Sequence, residues 1–326
     1  MKKNKLKKLL IISVLFLLLC DLYSQPVPSI EENIPFLVTF GKDGDVTWGD
    51  DDFSQVFFVV IPDKFLKPFY IRVFDPDCGG MHDELKGEAN TKTTFSIIGG
   101  KCAYTHSDSK NIDPLGNYKC GNLLAMKTFG NDSKFDNKWY TFGPFNPSEG
   151  EYVEDFQGYV FKIVVDGVSG DDGNLYRLFI STSNKENIPI EGCNAFTYEY
   201  TFRLYDEPGN ISHIYPYIDD KVISVKISNF DWDNDGVMRI ISVAKNGIQI
   251  EISGEGEWKH QILPVVAEER GTSFDLQFVK TKYIKNNNVV VYITNQYGEL
   301  LPFYVSPIGG IPQYKGKIRA VKIKKQ

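Results

Sequence analysis

Histidine, methionine and tryptophan are scarce in this chain, with four of each in 326 residues, and cysteine occurs five times. The four histidines (His82, His106, His213 and His260) lie far apart, with no spacing that would bring two of them to one metal. There is no His-Glu-x-x-His helix, no Gly-x-Ser-x-Gly elbow and no phosphate-binding glycine loop. The common zinc-peptidase, α/β-hydrolase and nucleotide-binding signatures are therefore missing, and no catalytic residue is nominated. Helical periodicity is nearly absent. Beyond residue 24, no apolar run approaches the roughly 20 residues of a membrane-spanning helix. Basic charge is in deficit as well, with 36 Lys and Arg against 42 Asp and Glu. Residues 1–24 hold five of those lysines and one aspartate, so the remainder carries 31 basic and 41 acidic groups, a net −10. Such a balance disfavours nucleic acid and anionic membranes and suits metal ions, neutral sugars or basic partners.

What is present begins with an export signal. Lys2, Lys3, Lys5, Lys7 and Lys8 precede an apolar stretch from Leu9 to Leu19, the layout of a signal peptide (residues 1–24) cleaved after Ser24. The alternative is a lipoprotein acylated at Cys20, although Leu18 and Leu19 stand where a lipobox carries small residues. Either way the chain is expected to be secreted or held at the cell surface. Once Cys20 leaves with the leader, Cys78, Cys102, Cys120 and Cys193 remain, an even number that predicts two disulfides in an oxidising compartment. Three pairings are open. Cys102 with Cys120 is favoured because Ala103 to Lys119 is polar and turn-rich, and Cys78 with Cys193 would then complete the set.

Strand signals dominate the rest. Ser54 to Ile61 is a continuous apolar run, as for a strand buried on both faces, and Phe69 to Phe74 reads as its antiparallel hairpin partner. Further strands are expected at 93–98, 123–128, 138–142, 158–165 and 175–181. Between Ala195 and Tyr205, Phe196, Tyr198, Tyr200, Phe202 and Leu204 alternate with Thr197, Glu199, Thr201 and Arg203, a clear period of two. Asp206-Glu-Pro-Gly-Asn210 marks a boundary. Past it, strands recur at 223–228, 237–244, 248–252, 257–262, 274–279, 289–293, 301–305 and 318–323. The expected fold is all-β: two consecutive antiparallel β-sandwich domains of jelly-roll or immunoglobulin-like type, at 25–207 and 208–326.

Acidic loops punctuate these strands. One holds Asp43, Asp45, Asp50, Asp51 and Asp52, and a second holds Asp75, Asp77, Asp83 and Glu84. If 54–61 and 69–74 form a hairpin, the two clusters meet at one end of a sheet. Gathered carboxylates repel unless a cation neutralises them, so a structural Ca²⁺ is expected on Asp45 or a member of Asp50–Asp52 together with Asp75 and Asp77. A third cluster, Asp166, Asp171 and Asp172, sits at an apparent hairpin turn between 158–165 and 175–181, which turn chemistry explains. The fourth is Asp231-Trp-Asp233-Asn-Asp235-Gly236, with three carboxylates at alternate positions and a glycine for the bend.

That last stretch resembles the Asp-x-Asp-x-Asp-Gly calcium loops of EF-hands, dockerins and thrombospondin type 3 repeats, over Asp231, Asp233, Asp235 and Gly236. The resemblance implies Ca²⁺ ligation there. Strand-like flanks, and Ser242 in the twelfth position in place of a bidentate Glu, depart from the EF-hand and imply a structural staple. Tyr70-Ile-Arg-Val-Phe-Asp-Pro-Asp77 is similar to the strand-into-acid edge of calcium-stabilised jelly rolls such as pre-peptidase C-terminal domains, which implies a secreted bacterial β-sandwich. Three functions fit. The first is an adhesin-like interaction module or part of a surface assembly, with a protein or glycan partner. The second is a carbohydrate-binding protein, with Trp48, Trp139, Trp232 and Trp258, and less strongly Tyr215, Tyr217 and Tyr304, as candidate contacts. The third is a secreted hydrolase with an unrecognised carboxylate pair.

Overall fold

The computed structural model describes residues 26–110 and 119–312; the expected leader with Cys20 and the expected strand at 318–323 lie outside them. The first half contributes β1 (Phe36–Phe40), β2 (Ser54–Pro62), β3 (Phe69–Phe74), β4 (Lys92–Gly99), β5 (Asn122–Phe129) and β6 (Trp139–Phe145). It continues with β7 (Glu151–Val153), β8 (Gly158–Ser169), β9 (Gly173–Ser181), β10 (Asn194–Thr197) and β11 (Glu199–Arg203). The second half adds β12 (Ile211–Ile214), β13 (Tyr217–Ile218), β14 (Ser224–Phe230), β15 (Gly236–Ile241) and β16 (Asn246–Ile250). It ends with β17 (Trp258–Pro264), β18 (Thr272–Ser273), β19 (Asp275–Lys280), β20 (Asn288–Asn295) and β21 (Phe303–Tyr304). The helices among the described residues are short 3₁₀ turns, and none is long and apolar enough to cross a membrane. The all-β, antiparallel sandwich architecture expected from the sequence is present.

An eight-stranded sheet, β17-β14-β20-β11-β1-β9-β3-β6, forms the backbone of the molecule. Against it stand a sheet ordered β21-β10-β2-β8-β4-β5, with β7 paired to β8, and a four-stranded sheet ordered β12-β19-β15-β16. The inner face of the long sheet meets both. Tyr200 reaches Phe57 at 6.2 Å between ring centroids, and Phe202 reaches Phe278 of the four-stranded sheet at 5.4 Å. One apolar cluster therefore runs from Phe57, Val59 and Phe95 to Val225, Met238 and Phe278. Alternation explains β2: Phe57, Val59 and Ile61 enter this core, while Phe58 and Val60 join Phe196, Tyr198 and Tyr304 in a second cluster on the other face.

Three expectations change here. The turn at 206–210 exists, but β20 pairs with β11 from Glu199↔Tyr292 to Arg203↔Asn288, and β21 pairs with β10. The sandwiches on either side of residue 208 thus share one sheet and one core. Second, β2 and β3 are not a hairpin: β2 pairs with β8 and β10, β3 with β6 and β9. β8 and β9 likewise sit in opposite sheets. Each connection arches across the core, because both of its strands carry apolar residues on two faces and find separate partners. Third, the single row expected over 195–205 breaks at Tyr198, where the chain leaves one sheet for the other. Phe196 and Tyr198 serve the outer cluster, Tyr200 and Phe202 the inner core.

Cys102 and Cys120 form the favoured disulfide, with Cα atoms 5.8 Å apart. Cys78 and Cys193 are buried and are not bonded to each other. Cys78 lies among Asp75, Asp77, Asp83 and Asp172 at the acidic end of the sandwich. Cys193 precedes β10, whose Asn194 pairs with Val60 near the opposite end of β2. The length of that strand separates the two thiols.

Candidate metal centre

Several acidic side chains in the loops are engaged on both oxygens by backbone amides or by cations. Asp83 accepts from Gly79, Gly80 and Leu175, and Asp172 accepts from Lys86, Asn90 and Thr91. Glu84 is held by Arg203 and Lys86. These groups fasten loops, and none of them belongs to the one described set whose oxygens approach one another within 4.8 Å. Others do not fit that description.

Asp50, Asp51 and Asp52 are the one group among the described residues in which each acid offers one oxygen within 4.8 Å of those of the others. Asp50 is fully buried and pins its loop, with Oδ2 accepting from the Phe40 amide (2.7 Å) and Oδ1 from the Phe53 amide (2.9 Å). Asp52 Oδ1 accepts from the Ser54 amide (2.9 Å). Asp51 Oδ1 is buried without a partner, and so is Glu199 Oε1. Glu199 begins β11, just past the point where the chain changes sheets, and its charge is felt with those of Asp52, Asp51 and Asp50. Asp166, opposite Ser54 in the register, accepts from the Ser54 hydroxyl (3.2 Å) and adds a further negative charge beside Asp52.

The electrostatics follow from that crowding. Burial first, and repulsion from Asp51 second, push the Asp50 carboxyl up to about 7 even though amides stabilise its charge. Burial raises Asp51 to about 6. Asp52 and Glu199 are pushed well above the carboxylate range by burial and then by their acidic neighbours. No ion pair joins these four groups to a described Lys or Arg. Such a set either holds protons near neutral pH or binds a cation. Ligands on opposite sides of a Ca²⁺ ion stand about 4.6–5.2 Å apart, so the three aspartates fit one such ion.

The other nominated residues have different surroundings. Asp45 is exposed and caps the turn Val46–Trp48, its Oδ1 accepting from the Thr47 amide (3.0 Å) and hydroxyl (2.9 Å). It lies in the field of Asp231. Asp75 and Asp77 are grouped with Asp136 and do not join the 50–52 set. In the loop 231–236, Asp231, Asp233 and Asn234 all take positive φ, between 53° and 60°. Asp231 Oδ1 accepts from the Gly256 amide (2.6 Å), while Asp235 accepts from Asn287 (2.6 Å) and pairs with Lys282 (3.2 Å). Asp233 Oδ1 has no partner, and the buried Lys280 ammonium feels Asp235, Asp206 and Asp233. The three carboxylates do not bring oxygens within 4.8 Å of one another. Ser242, at the twelfth position, joins the buried Lys245–Glu269 pair.

The tryptophans act as packing. Trp232 is fully buried against Phe278 (4.9 Å), Trp48 lies on Phe40 with the Lys86 ammonium 3.9 Å above its ring, and Trp139 lies on Phe74. Trp258 packs on Phe230 and Tyr292. Tyr215 is buried with its hydroxyl donating to the Glu31 carbonyl. Two acids escaped sequence reasoning. Glu199 was visible only as a polar residue between aromatics, and Asp136 as a turn residue in Asn-Asp-Ser-Lys-Phe-Asp-Asn. A scan of protein-family models and a search of curated proteins found no match to this chain.

Proposed function

We propose that the chain is an exported interaction module, adhesin-like or part of a surface assembly, whose loops are stapled by Ca²⁺ on Asp50, Asp51, Asp52 and Glu199. The supporting observation is the set of three aspartates with one oxygen each within 4.8 Å, in which Asp51 Oδ1 is buried without a partner, together with the unpartnered buried Oε1 of Glu199 in their field. A divalent ion offsets the mutual repulsion and holds the loop before β2 to the corner at Glu199. The leader, the acid excess and the lack of catalytic motifs agree with an extracellular binding role.

The test is calorimetric titration with Ca²⁺, together with melting in Ca²⁺ and in EDTA, for the wild type and for Asp51→Asn/Glu199→Gln. The wild type gains stability with Ca²⁺, about 2.7 kcal/mol at a hundredfold excess over Kd. The double variant loses that gain while melting higher than the metal-free wild type, because two repelling charges are gone. Identical melting of the wild type with Ca²⁺ and with EDTA overturns the reading.

One observation favours a sugar as the partner. Tyr104, Phe156, Tyr198, Tyr217 and Tyr304 line a groove rimmed by Asp155, Asp219 and Glu299. Aromatic faces with carboxylate acceptors are the means by which proteins hold sugar rings. Glycan-array binding with and without EDTA checks this second reading, and absence of binding in both conditions removes it.

A further inference from the structure

Asp75 follows β3 directly and is held in the left-handed region at φ +54°. Its amide donates to the Lys138 carbonyl (2.9 Å), and its Oδ1 accepts from the Asn137 amide (2.6 Å). Two residues later, Asp77 Oδ2 accepts from the Asp132 amide (3.3 Å), and the Cys78 amide donates to the Gly130 carbonyl (3.3 Å). The loop between β3 and β4 is thus laced to the loop between β5 and β6, which carries Asp136.

The lacing leaves one oxygen over on each acid. Asp75 Oδ2, Asp77 Oδ1 and Asp136 Oδ1 are all shielded from water and have no hydrogen-bond partner. Asp75 and Asp77 are 0% and 1% exposed. Asp75 and Asp136 both act on Asp77, and Asp136 acts on Asp75. No described Lys or Arg forms an ion pair with any of the three. His82 and Arg177 exert some attraction on Asp75, with the Arg177 guanidinium held over the Phe36 and Phe74 rings. Gly80 closes over the third acid: a Cβ there would stand 2.0 Å from Asp136 Oδ1. A buried carboxylate oxygen without a donor is costly, and three acids that feel one another's charge are worse, unless something positive completes them; the three oxygens do not all lie within 4.8 Å of one another, so a cation would draw the two loops together.

We propose that Asp75, Asp77 and Asp136 form a second calcium site, separate from Asp50–Asp52, that clamps the β3–β4 loop to the β5–β6 loop. All-oxygen, all-carboxylate donors select a hard cation, and water or backbone carbonyls complete its shell. The nearby Cys78 thiol is not a competing soft ligand, since burial and the surrounding aspartates push its ionisation far up.

Trp139 makes the site readable. It pairs with Phe74 in the register, next to Asp75, and its ring lies 5.3 Å from that of Phe74, so it should sensitise Tb³⁺ emission from the site. The experiment titrates Tb³⁺ into the full chain, with Ca²⁺ as competitor, and follows stoichiometry by calorimetry. Asp136→Asn, Asp77→Asn and Gly80→Ala should each weaken one Tb³⁺ equivalent at least tenfold while keeping the wild-type far-UV spectrum. Trp139→Phe should dim the emission without changing stoichiometry. Asp51→Asn/Glu199→Gln should leave the Trp139-sensitised equivalent intact, so failure of the first site and failure of this one give different patterns. Wild-type stoichiometry and affinity in folded Asp136→Asn and Gly80→Ala would overturn the assignment.

Discussion

Glu32 is a fully buried carboxyl whose replacement by glutamine should flatten part of the stability-versus-pH curve. It sits in the turn Ser29–Asn33, which enters the core beside β11 and β12. Its Oε2 accepts from the Ser29 amide and from the Tyr200 hydroxyl (3.3 Å), and Oε1 has no partner. Burial pushes its pKa from 4.5 up to about 8, against the opposing effect of those hydrogen bonds. The folded state therefore keeps a proton that the unfolded chain releases above its own pKa. The sign follows: this contribution is fully present below about 4.5, falls as pH rises to about 8, and is flat beyond. With those two values, the loss between pH 6 and pH 9 is about 3 kcal/mol. Glu32→Gln removes the titration and itself costs about 1–2 kcal/mol at every pH, since an amide replaces an acid against the same donors. Urea unfolding at pH 6, 7, 8 and 9 should show the variant gaining steadily on the wild type. Other buried acids titrate in both proteins and cancel in the difference. Parallel wild-type and variant profiles would refute the reasoning.

Three further outcomes are expected. Phe202→Ala, at the junction with Phe278, should cost about 3–5 kcal/mol, and because the long sheet crosses residue 208 the chain should still unfold in one transition; two transitions by calorimetry would show that the halves fold separately. Cys102→Ser/Cys120→Ser, opening a loop with a sequence separation of 18, should lower stability by about 3 kcal/mol, read as a lower urea midpoint. Lys245→Met should cost about 3–5 kcal/mol by leaving the buried Glu269 without its cation, whereas Lys245→Met/Glu269→Leu should recover most of the loss in the same assay.

The strands were legible because period-two patterns and turn residues are local signals. Phe69–Phe74 matches β3 to the residue, and most of the other expected strands fall within two residues of their observed ends, while β1, β7, β12, β13 and β18 have no expected counterpart. Pairing was not legible in that way. Apolar residues on both faces of 54–62 say that the strand is covered twice, without saying that β8 and β10 flank it and β3 does not. The loop 231–236 shows the same limit from the other side. Asp231, Asp233 and Asp235 match a short pattern, yet Gly256, Asn287 and Lys282 take up two of the three carboxylates from places far along the chain. Asp75 and Asp77 were nominated, but their third member, Asp136, lies about sixty residues away in a loop with ordinary turn composition.

Glu199 shows how fold and candidate site are linked. A straight strand over 195–205 would place its aromatics in one core and leave Glu199 on a polar face. The change of sheet after Thr197 sends Phe196 and Tyr198 outward and Tyr200 and Phe202 inward, and it leaves Glu199 at the bend beneath the 50–52 loop. The same bend is bordered by the second half, since β21 pairs with Phe196 and Thr197 while β20 pairs with Glu199 through Arg203. A cation drawn to Asp50–Asp52 and Glu199 therefore acts on the corner where both sandwiches meet. Its binding energy should stabilise the whole chain through the shared sheet, and the benefit should extend well beyond the loop that carries the aspartates.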